Sequence, residues 1–263
     1  MKKVNSARNV FHMLQVSVLF ASFLFAGAAS AQLTATANHD HITVDFFYHG
    51  STVSVRGVSD PDTDLIIKVT SDDGHQALHR KGKVGGILWM NVGELDVEHV
   101  PAVYFLHSTK NIEDILSREE MNKYVIGYPA LEDHVKMNVP DEREKNKWFN
   151  ELVKFNESSK VYATTTGKIS LTQKGDEQNY YILTEWPYQA PPGKYTVTVY
   201  AVKDHKVVET ATSRVAVEQV GMVKAFANMA KNNGAVYGII SIFAALGAGF
   251  GVGLIFGKGG GAH

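Results

Sequence analysis

Two histidines flank an aspartate near the start of the chain, in the sequence His39-Asp40-His41. Alternate side chains of an extended segment point the same way, so the two imidazoles could together bind Cu(II), Ni(II) or Zn(II). Two histidines and one aspartate do not complete a structural zinc site, and histidines on a surface or strand edge are the simpler interpretation. The sequence therefore predicts no metal and no other cofactor, and these three residues are the candidates if a metal binds.

Three carboxylates alternate shortly afterwards, at Asp60, Asp62 and Asp64. Hard cations such as calcium prefer oxygen ligands, but an EF-hand-type loop needs Gly at its sixth position and Glu at its twelfth. Leu65 and Ser71 occupy those positions here. The pattern is more typical of a solvated turn before a strand.

The most basic run of the chain is His79-Arg80-Lys81-Gly82-Lys83, followed by a tryptophan at position 89. Such a run attracts lipid headgroups, an acidic partner or a small anion. A solvated hairpin is the alternative for the run, and a place in the core is the alternative for the tryptophan. The candidate interaction residues are Arg80, Lys81, Lys83 and Trp89.

Composition and motifs exclude several classes of protein. The chain has no cysteine, which excludes a disulfide scaffold, a thiolate zinc site and a cysteine nucleophile. Its 26 basic and 27 acidic residues argue against nucleic-acid binding. No G-x-S-x-G, H-E-x-x-H, Walker A or G-x-G-x-x-G pattern occurs, so we nominate no catalytic residue and expect no enzyme. Because catalytic triads are assembled in space, an enzyme with an unrecognised site stays an alternative.

Residues 1–31 have the composition of a secretory signal peptide: basic residues, then a mostly apolar stretch, then Ala29-Ser30-Ala31. We expect cleavage after Ala31, with an uncleaved anchor helix as the alternative. Cleavage removes three of the 26 basic residues and none of the 27 acidic ones. The remaining 232 residues then carry a formal charge of -4 and suffice for one or two domains.

Residues 234–257 form a second apolar segment of 24 residues without a charge. A helix of that length reaches roughly 36 Å and crosses a hydrocarbon core of about 30 Å. After a cleaved signal, this span places the N-terminal part outside the cytoplasm and residues 258–263 inside it. Lys224 and Lys231 on the outer side do not follow the positive-inside rule, so the signal peptide decides the orientation. Burial of the segment in a soluble core is the alternative.

Glycines of the span recur every four residues in two series, which lie on different faces of a helix. The candidate helix-packing residues are Gly247, Gly249, Gly251, Gly253 and Gly257. Small residues at this spacing let helix backbones approach closely in a bilayer. We therefore expect contact with an integral membrane partner, with a second copy of the chain, or with both; a helix that faces only lipid is the alternative.

The stretch between the two apolar ends is mainly β. Period-two alternation recurs from residue 41 onward and returns after Asn156. Residues 87–90 are apolar throughout, which predicts a strand buried on both faces. Residues 111–156 instead have helical spacing, including an apolar stripe of Trp148, Phe149, Leu152 and Val153 that predicts core packing. Tyr195, two residues after a Pro-Gly pair at the start of a long strand, resembles the tyrosine corner of Ig-like sandwiches.

These patterns predict a mainly β fold: an Ig-like β-sandwich ectodomain with a short helical insertion and one C-terminal transmembrane helix. Two sandwich units that pack together are favoured, and one unit with an insertion is the alternative. The expected segments are the signal peptide 1–31, the first β unit 32–110, the helical segment 111–156, the second β unit 157–219, the juxtamembrane segment 220–233, the span 234–257 and the tail 258–263. The juxtamembrane segment is either an interfacial helix or a continuation of the span.

Three stretches resemble the Alph_Pro_TM family of bacterial transmembrane proteins, in the same order along the chain. HITVDFFYHGSTVSVRG is similar to its opening strands, and HRKGKVGGILWMNVGELDVEHVPAVYFLHSTK to its most recognisable block. PPGKYTVTVYAVKDHKVVETATSRVAVEQVG, followed by a span, resembles its end. The resemblance implies a periplasm-facing protein held by one C-terminal helix, and an association with sulfite-exporter-type membrane proteins. It brings no known activity and no agreed catalytic residues.

The sequence thus favours a membrane-anchored periplasmic accessory or interaction protein that supports a membrane partner, for which the resemblance suggests a small-anion transporter. The expected partners are an integral membrane protein and the lipid bilayer, with no nucleic acid. The alternative is a periplasmic ligand- or metal-binding protein that uses His39, Asp40, His41 and other histidines.

Overall fold

The computed structural model describes residues 32–85, 87–139 and 141–256. The predicted signal peptide, residues 1–31, lies outside the described residues, as do Gly257 and the predicted tail, residues 258–263. The described chain is a β-rich domain over residues 32–219, called the β domain below, followed by two helices. The mainly β fold with a C-terminal apolar helix is therefore confirmed.

The strands of the β domain have the following bounds: β1 Thr36–Ala37, β2 His41–Val44, β3 Ser51–Ser59, β4 Asp64–Ser71, β5 Asp73–Val84, β6 Leu88–Pro101, β7 Tyr104–Ser108, β8 Lys136–Met137, β9 Tyr162–Thr166, β10 Ser170–Lys174, β11 Glu177–Trp186, β12 Gly193–Lys203 and β13 Lys206–Gln219. They form three sheets. The first has the order β1-β3-β11-β10, the second β2-β13-β12-β4-β7-β9, and the third β5-β6-β8. Neighbours are antiparallel except for the pairs β2–β13 and β7–β9.

Both large sheets combine strands from the two segments that the sequence suggested as separate units. In the first sheet β3 pairs with β11, and in the second β4 pairs with β12. The two segments therefore share both large sheets. One β unit with a helical insertion, the alternative to two units, is the arrangement that this pairing favours.

The two large sheets pack on each other through one hydrophobic core. Trp186 of β11 meets Tyr195 of β12 edge to face, with ring centroids 4.8 Å apart. The Tyr195 hydroxyl donates a hydrogen bond back to the carbonyl oxygen of Pro191, which is the contact that a tyrosine corner makes. The core is thus sandwich-like, and the Ig-like topology stays a prediction.

The helical segment contains more short helices than its pattern predicted. Their bounds are α1 Ile112–Ile115, α2 Arg118–Tyr124, α3 Tyr128–His134, a 3-10 turn Glu142–Glu144 and α4 Lys145–Ser158. Ser117 caps the N-terminus of helix α2, since its side chain accepts a hydrogen bond from the Glu120 N–H. On α4, Phe149, Leu152 and Val153 are buried and Trp148 is half-buried, so the predicted core stripe is confirmed.

The second sheet has one end from which the chain leaves for the C-terminal helices. Strand β13 ends there at Gln219, paired with Val44 at the end of β2. Strand β4 also ends there, since Ser71 pairs with Tyr195 near the start of β12. We call this the anchor end. The third sheet is inserted between β4 and β7, so it leaves the β domain from the anchor end as well.

Two helices follow the β domain, α5 Gly221–Asn232 and α6 Gly234–Phe256. Among the described residues, α6 is the one helix long and apolar enough to cross a membrane, over 21 residues from Gly234 to Leu254. None of these residues is buried against the rest of the chain. The predicted span thus begins at the expected residue.

Candidate functional site

The basic run lies on a long hairpin formed by β5 and β6, which we call the arm. Lys81 pairs with Asn91 and Lys83 with Trp89, and the register shifts between Arg80 and Lys81. The lysines at positions 81 and 83 are exposed. The side chains of Arg80 and Trp89 lie outside the described part of the structure, although the backbone of each has its place in a strand. The arm therefore brings the predicted interaction residues into one element.

The tip of the arm exposes large apolar side chains on both of its strands. The exposed fractions are 49% for Val84, 84% for Ile87, 64% for Leu88 and 52% for Met90. The prediction that residues 87–90 are buried on both faces is therefore wrong. The physical reason is that β8 pairs with β6 only at Val97 and Glu98, so none of the described strands forms a third strand at this end of the hairpin.

The base of the arm, in contrast, is fixed to the rest of the domain. Leu95, Val97 and Val100 are buried. The side-chain amides of Gln76 and Asn156 exchange two hydrogen bonds, each of 3.2 Å, which tie β5 to the end of α4. The arm therefore has a base held by the domain and a tip whose described apolar side chains are exposed.

A groove of about 520 Å³ separates the arm from α4. Leu78, Trp148 and Phe155 supply apolar lining, and Lys81 and Lys147 stand with Glu144 and Glu151 around them. This groove extends the exposed surface of the arm toward the β domain.

A larger cleft of about 1180 Å³ opens between the two large sheets, and His107 lies in its lining. His107 is buried, with Nδ1 2.6 Å from Thr165 Oγ1 and Nε2 3.0 Å from Thr184 Oγ1. Burial, helped by the positive charge of Lys168, lowers the pKa of His107 to about 4, so the ring is neutral at pH 7. Lys160 and Lys168 also line the cleft, together with Glu157 and Glu185.

His39 and Asp40 lie in the connection between β1 and β2, and His41 is the first residue of β2; all three are exposed. The His41 Nε2 atom lies 3.6 Å from Glu218 Oε2. Over residues 32–85, 87–139 and 141–256, no three His, Asp or Glu side chains are grouped so that they could hold a metal ion.

The alternating aspartates form a turn held by hydrogen bonds. Asp60 Oδ1 accepts from the Asp62 N–H at 2.9 Å. Asp64 accepts from Thr109 Oγ1 at 2.9 Å and pairs with Lys110 at 3.0 Å. These contacts agree with a solvated turn and account for the acidic pattern without calcium.

The span glycines present open surfaces. A Cβ atom built at Gly247, Gly249, Gly251 or Gly253 would meet no atom within 4 Å in the described chain. Gly257 lies outside the described residues. The helix-packing prediction is therefore untested, and both glycine faces are available to a neighbour.

Sequence reasoning missed two features of this arrangement. Sequence reasoning did not single out His107, although it directly follows the apolar residues Val103 to Leu106, which signal burial. The apolar tip was interpreted as core, because a run of apolar residues has the same pattern whether or not another element covers it.

Comparison with known proteins gives a family and no curated relative. No curated protein matches the chain. The family model with the description "Putative transmembrane protein (Alph_Pro_TM)" matches residues 32–258, which include the whole β domain, the arm and the apolar helix. On this match the chain belongs to the Alph_Pro_TM transmembrane protein family.

Proposed function

We propose that the chain is a non-enzymatic accessory protein, anchored by α6 in a bacterial inner membrane with its β domain in the periplasm. Residues 1–31 act as a cleaved signal in this proposal, and residues 258–263 lie in the cytoplasm. Its role is to dock on an integral membrane partner, for which the family resemblance suggests a transporter of a small anion. The arm is the observation that carries the proposal.

The arm suits docking because it combines two kinds of contact on a fixed base. The apolar side chains at its tip gain free energy when a partner removes them from water, at about 25 cal/mol per Å². Lys81 and Lys83 add steering toward an acidic surface. Exposed apolar clusters of this kind mark interaction sites, and the arm leaves the β domain at the anchor end.

The span offers a second contact with the same partner. Its two glycine faces lie bare, so one or two helices can approach closely within the bilayer. A second copy of the chain could occupy one face while the partner occupies the other.

The test is a mild-detergent pull-down of the full chain from native membranes, with a tag after His263 and mass spectrometry of the proteins that come with it. The arm variant carries Ile87→Asp and Leu88→Asp, and the span variant carries Leu at Gly247, Gly251 and Gly253. Val208→Asp is the matched control, because Val208 is 52% exposed on β13, remote from the arm.

A stoichiometric membrane partner that the control retains and the arm variant loses supports the proposal. Recovery of the protein alone overturns it. A partner that survives the arm variant and is lost only with the span variant overturns the arm as the docking element.

The inter-sheet cleft favours a second candidate function, the binding of a small anionic ligand. Lys160 and Lys168 supply positive charge there, and Thr165 and Thr184 supply hydroxyls. Sulfite and sulfate are the probes, added to the full chain in detergent while its thermal unfolding is followed. A stabilisation that Lys168→Gln abolishes and Lys174→Gln leaves unchanged supports the candidate, and no stabilisation by either probe removes it.

Metal binding by the histidines near the start of the β domain has its own test. Calorimetry of the full chain with copper or zinc, beside a His39→Ala, His41→Ala variant, measures whether these histidines bind. Equal heats for both proteins exclude a site at His39, Asp40 and His41.

A further inference from the structure

Two phenylalanines stand exposed in the turn after β2. Phe46 is 69% and Phe47 75% exposed, and their rings meet edge to face with centroids 5.4 Å apart. Asp45 fixes the turn, since its Oδ1 accepts from the Phe47 N–H at 2.9 Å and its carbonyl oxygen accepts from the Tyr48 N–H at 3.2 Å. The turn therefore holds both rings outward in water.

This aromatic turn lies beside the point where the chain leaves the β domain. The Val220 N–H donates to the Val44 carbonyl oxygen at 3.0 Å, immediately before α5 begins. Tyr48 also stacks on Tyr188, with ring centroids 6.2 Å apart, and Tyr188 is 69% exposed. Three exposed aromatic rings thus share the anchor end with the start of α5.

Helix α5 has an apolar face and a polar face. At 100° per residue, Met222, Phe226 and Met229 fall on one side of the helix. The opposite side carries Lys224, Asn228 and Lys231, with Ala227 beside them. No residue of α5 is buried, and on the apolar face Met222 and Phe226 are exposed while Met229 is half-buried.

One ion pair joins the polar face of α5 to the β domain. Lys224 Nζ lies 2.5 Å from Glu218 Oε1 at the end of β13. Met222 and Phe226 lie about 160° away from Lys224 around the helix, and they are 61% and 42% exposed.

The chain changes conformation between α5 and the span. Asn233 has φ -139° and ψ 52°, outside the helical region, and α6 starts at Gly234. The polar sequence Lys231-Asn232-Asn233 occupies this junction. A helix of 12 residues is about 18 Å long, so the start of α5, beside the aromatic turn, lies no more than about that distance from the start of α6.

We infer that the Phe46–Phe47 turn, Tyr188 and the apolar face of α5 together form a membrane seat, which rests in the boundary between lipid headgroups and acyl chains. Amphipathic helices with basic polar faces lie in this boundary, and aromatic side chains concentrate there. The seat holds the β domain against the bilayer and so determines the distance of the arm from the membrane surface. The inference rests on the proposed function only in that α6 spans the membrane.

The absence of cysteine from the chain allows a direct test. Single variants Phe47→Cys, Phe226→Cys, Val208→Cys and Leu246→Cys of the full chain are labelled with an environment-sensitive fluorophore. They are reconstituted in vesicles of phosphatidylcholine and phosphatidylglycerol that contain nitroxide-bearing lipids as quenchers. Val208 is the water-exposed control on β13, and Leu246 is the control inside the span.

The seat predicts a blue-shifted emission and strong quenching at positions 47 and 226, with neither effect at position 208. Quenching at 226 without quenching at 47 overturns the joint seat. Quenching at 246 alone overturns the seat and leaves the span intact, whereas no quenching at 246 removes both the seat and the anchoring that the proposed function requires.

Discussion

His107 on one sheet lies 3.0 Å from Thr184 on the other, measured from Nε2 to Oγ1. Its second ring nitrogen lies 2.6 Å from Thr165 Oγ1, so the imidazole bridges β7, β9 and β11. A neutral ring satisfies both contacts, because one nitrogen donates and the other accepts. A protonated ring has two donors and must be buried with its charge beside Lys168, which explains the low pKa of His107.

We predict that the domain loses stability as the pH falls from about 6.5 to about 4. The pKa of His107 is lowered by burial from 6.5 to about 4 on folding, so the unfolded chain binds a proton in this window that the native chain does not. The loss is on the order of 3 kcal/mol across the window. Urea unfolding of the detergent-solubilised chain at a series of pH values measures it.

His107→Gln keeps an amide that can reach both threonines and removes the titration. The free energy of unfolding of this variant should depend less on pH between 6.5 and 4 than that of the wild type. His75→Gln, at an exposed position, should keep the wild-type dependence. An unchanged slope in His107→Gln would assign the acid sensitivity to other groups.

Gly57→Ala should destabilise the domain by about 3 kcal/mol or more, because overpacked sites cannot relax against backbone. A Cβ atom there would lie 1.9 Å from the Thr34 carbonyl oxygen and 2.6 Å from the Tyr180 hydroxyl. That hydroxyl donates to the same carbonyl oxygen, so the segment before β1 crosses directly over Gly57. Thermal unfolding measures the effect. Gly193→Ala is the matched control, since its Cβ would meet no atom within 4 Å, and an equal loss in both variants would contradict this explanation.

Local pattern was sufficient to predict most strands, the α4 stripe and the span, but not which strands pair. Alternation along residues 64–71 specifies a strand with a buried face, and Leu65, Ile67 and Val69 are indeed buried. It does not specify that this strand pairs with β12, more than 120 residues later in the chain. The preference for two units arose because the pattern within one strand does not identify its partner strand. Pairing between strands that are close in the sequence was therefore expected.

The sequence alone identified the charged residues of the candidate site, but it did not predict that its apolar residues are exposed. The basic run was identified from its composition, which needs no tertiary context. Ile87 belongs to an apolar run like those of core strands, yet it is 84% exposed because no described element covers it. Exposure of an apolar residue depends on the rest of the fold, so the sequence alone predicted burial for this run.

The buried position of Lys68 predicts that the stability of the domain rises with pH in the alkaline range. Burial lowers the pKa of Lys68 to about 8, and its Nζ donates to the Tyr124 carbonyl oxygen at 2.6 Å. Between pH 8 and 10 the unfolded chain keeps a proton that the native chain loses, so stability should rise with pH. Unfolding of wild type and Lys68→Met from pH 7 to 10 measures it: the rise should be present in wild type and absent in the variant. A parallel rise in both proteins would show that Lys68 is not its source.

The base of the arm should contribute to the stability of the domain, whereas charged substitutions at its tip should leave that stability nearly unchanged. Ile87→Asp and Leu88→Asp together should change the free energy of unfolding by no more than about 0.5 kcal/mol, because both side chains are already in water. Leu95→Ala, in the buried base of the same hairpin, should cost about 2–5 kcal/mol, because it leaves a cavity in the core. Denaturant titration of the three proteins gives the comparison. A tip variant as unstable as Leu95→Ala would mean that another element covers the tip in solution, and the arm would then not be a free docking element.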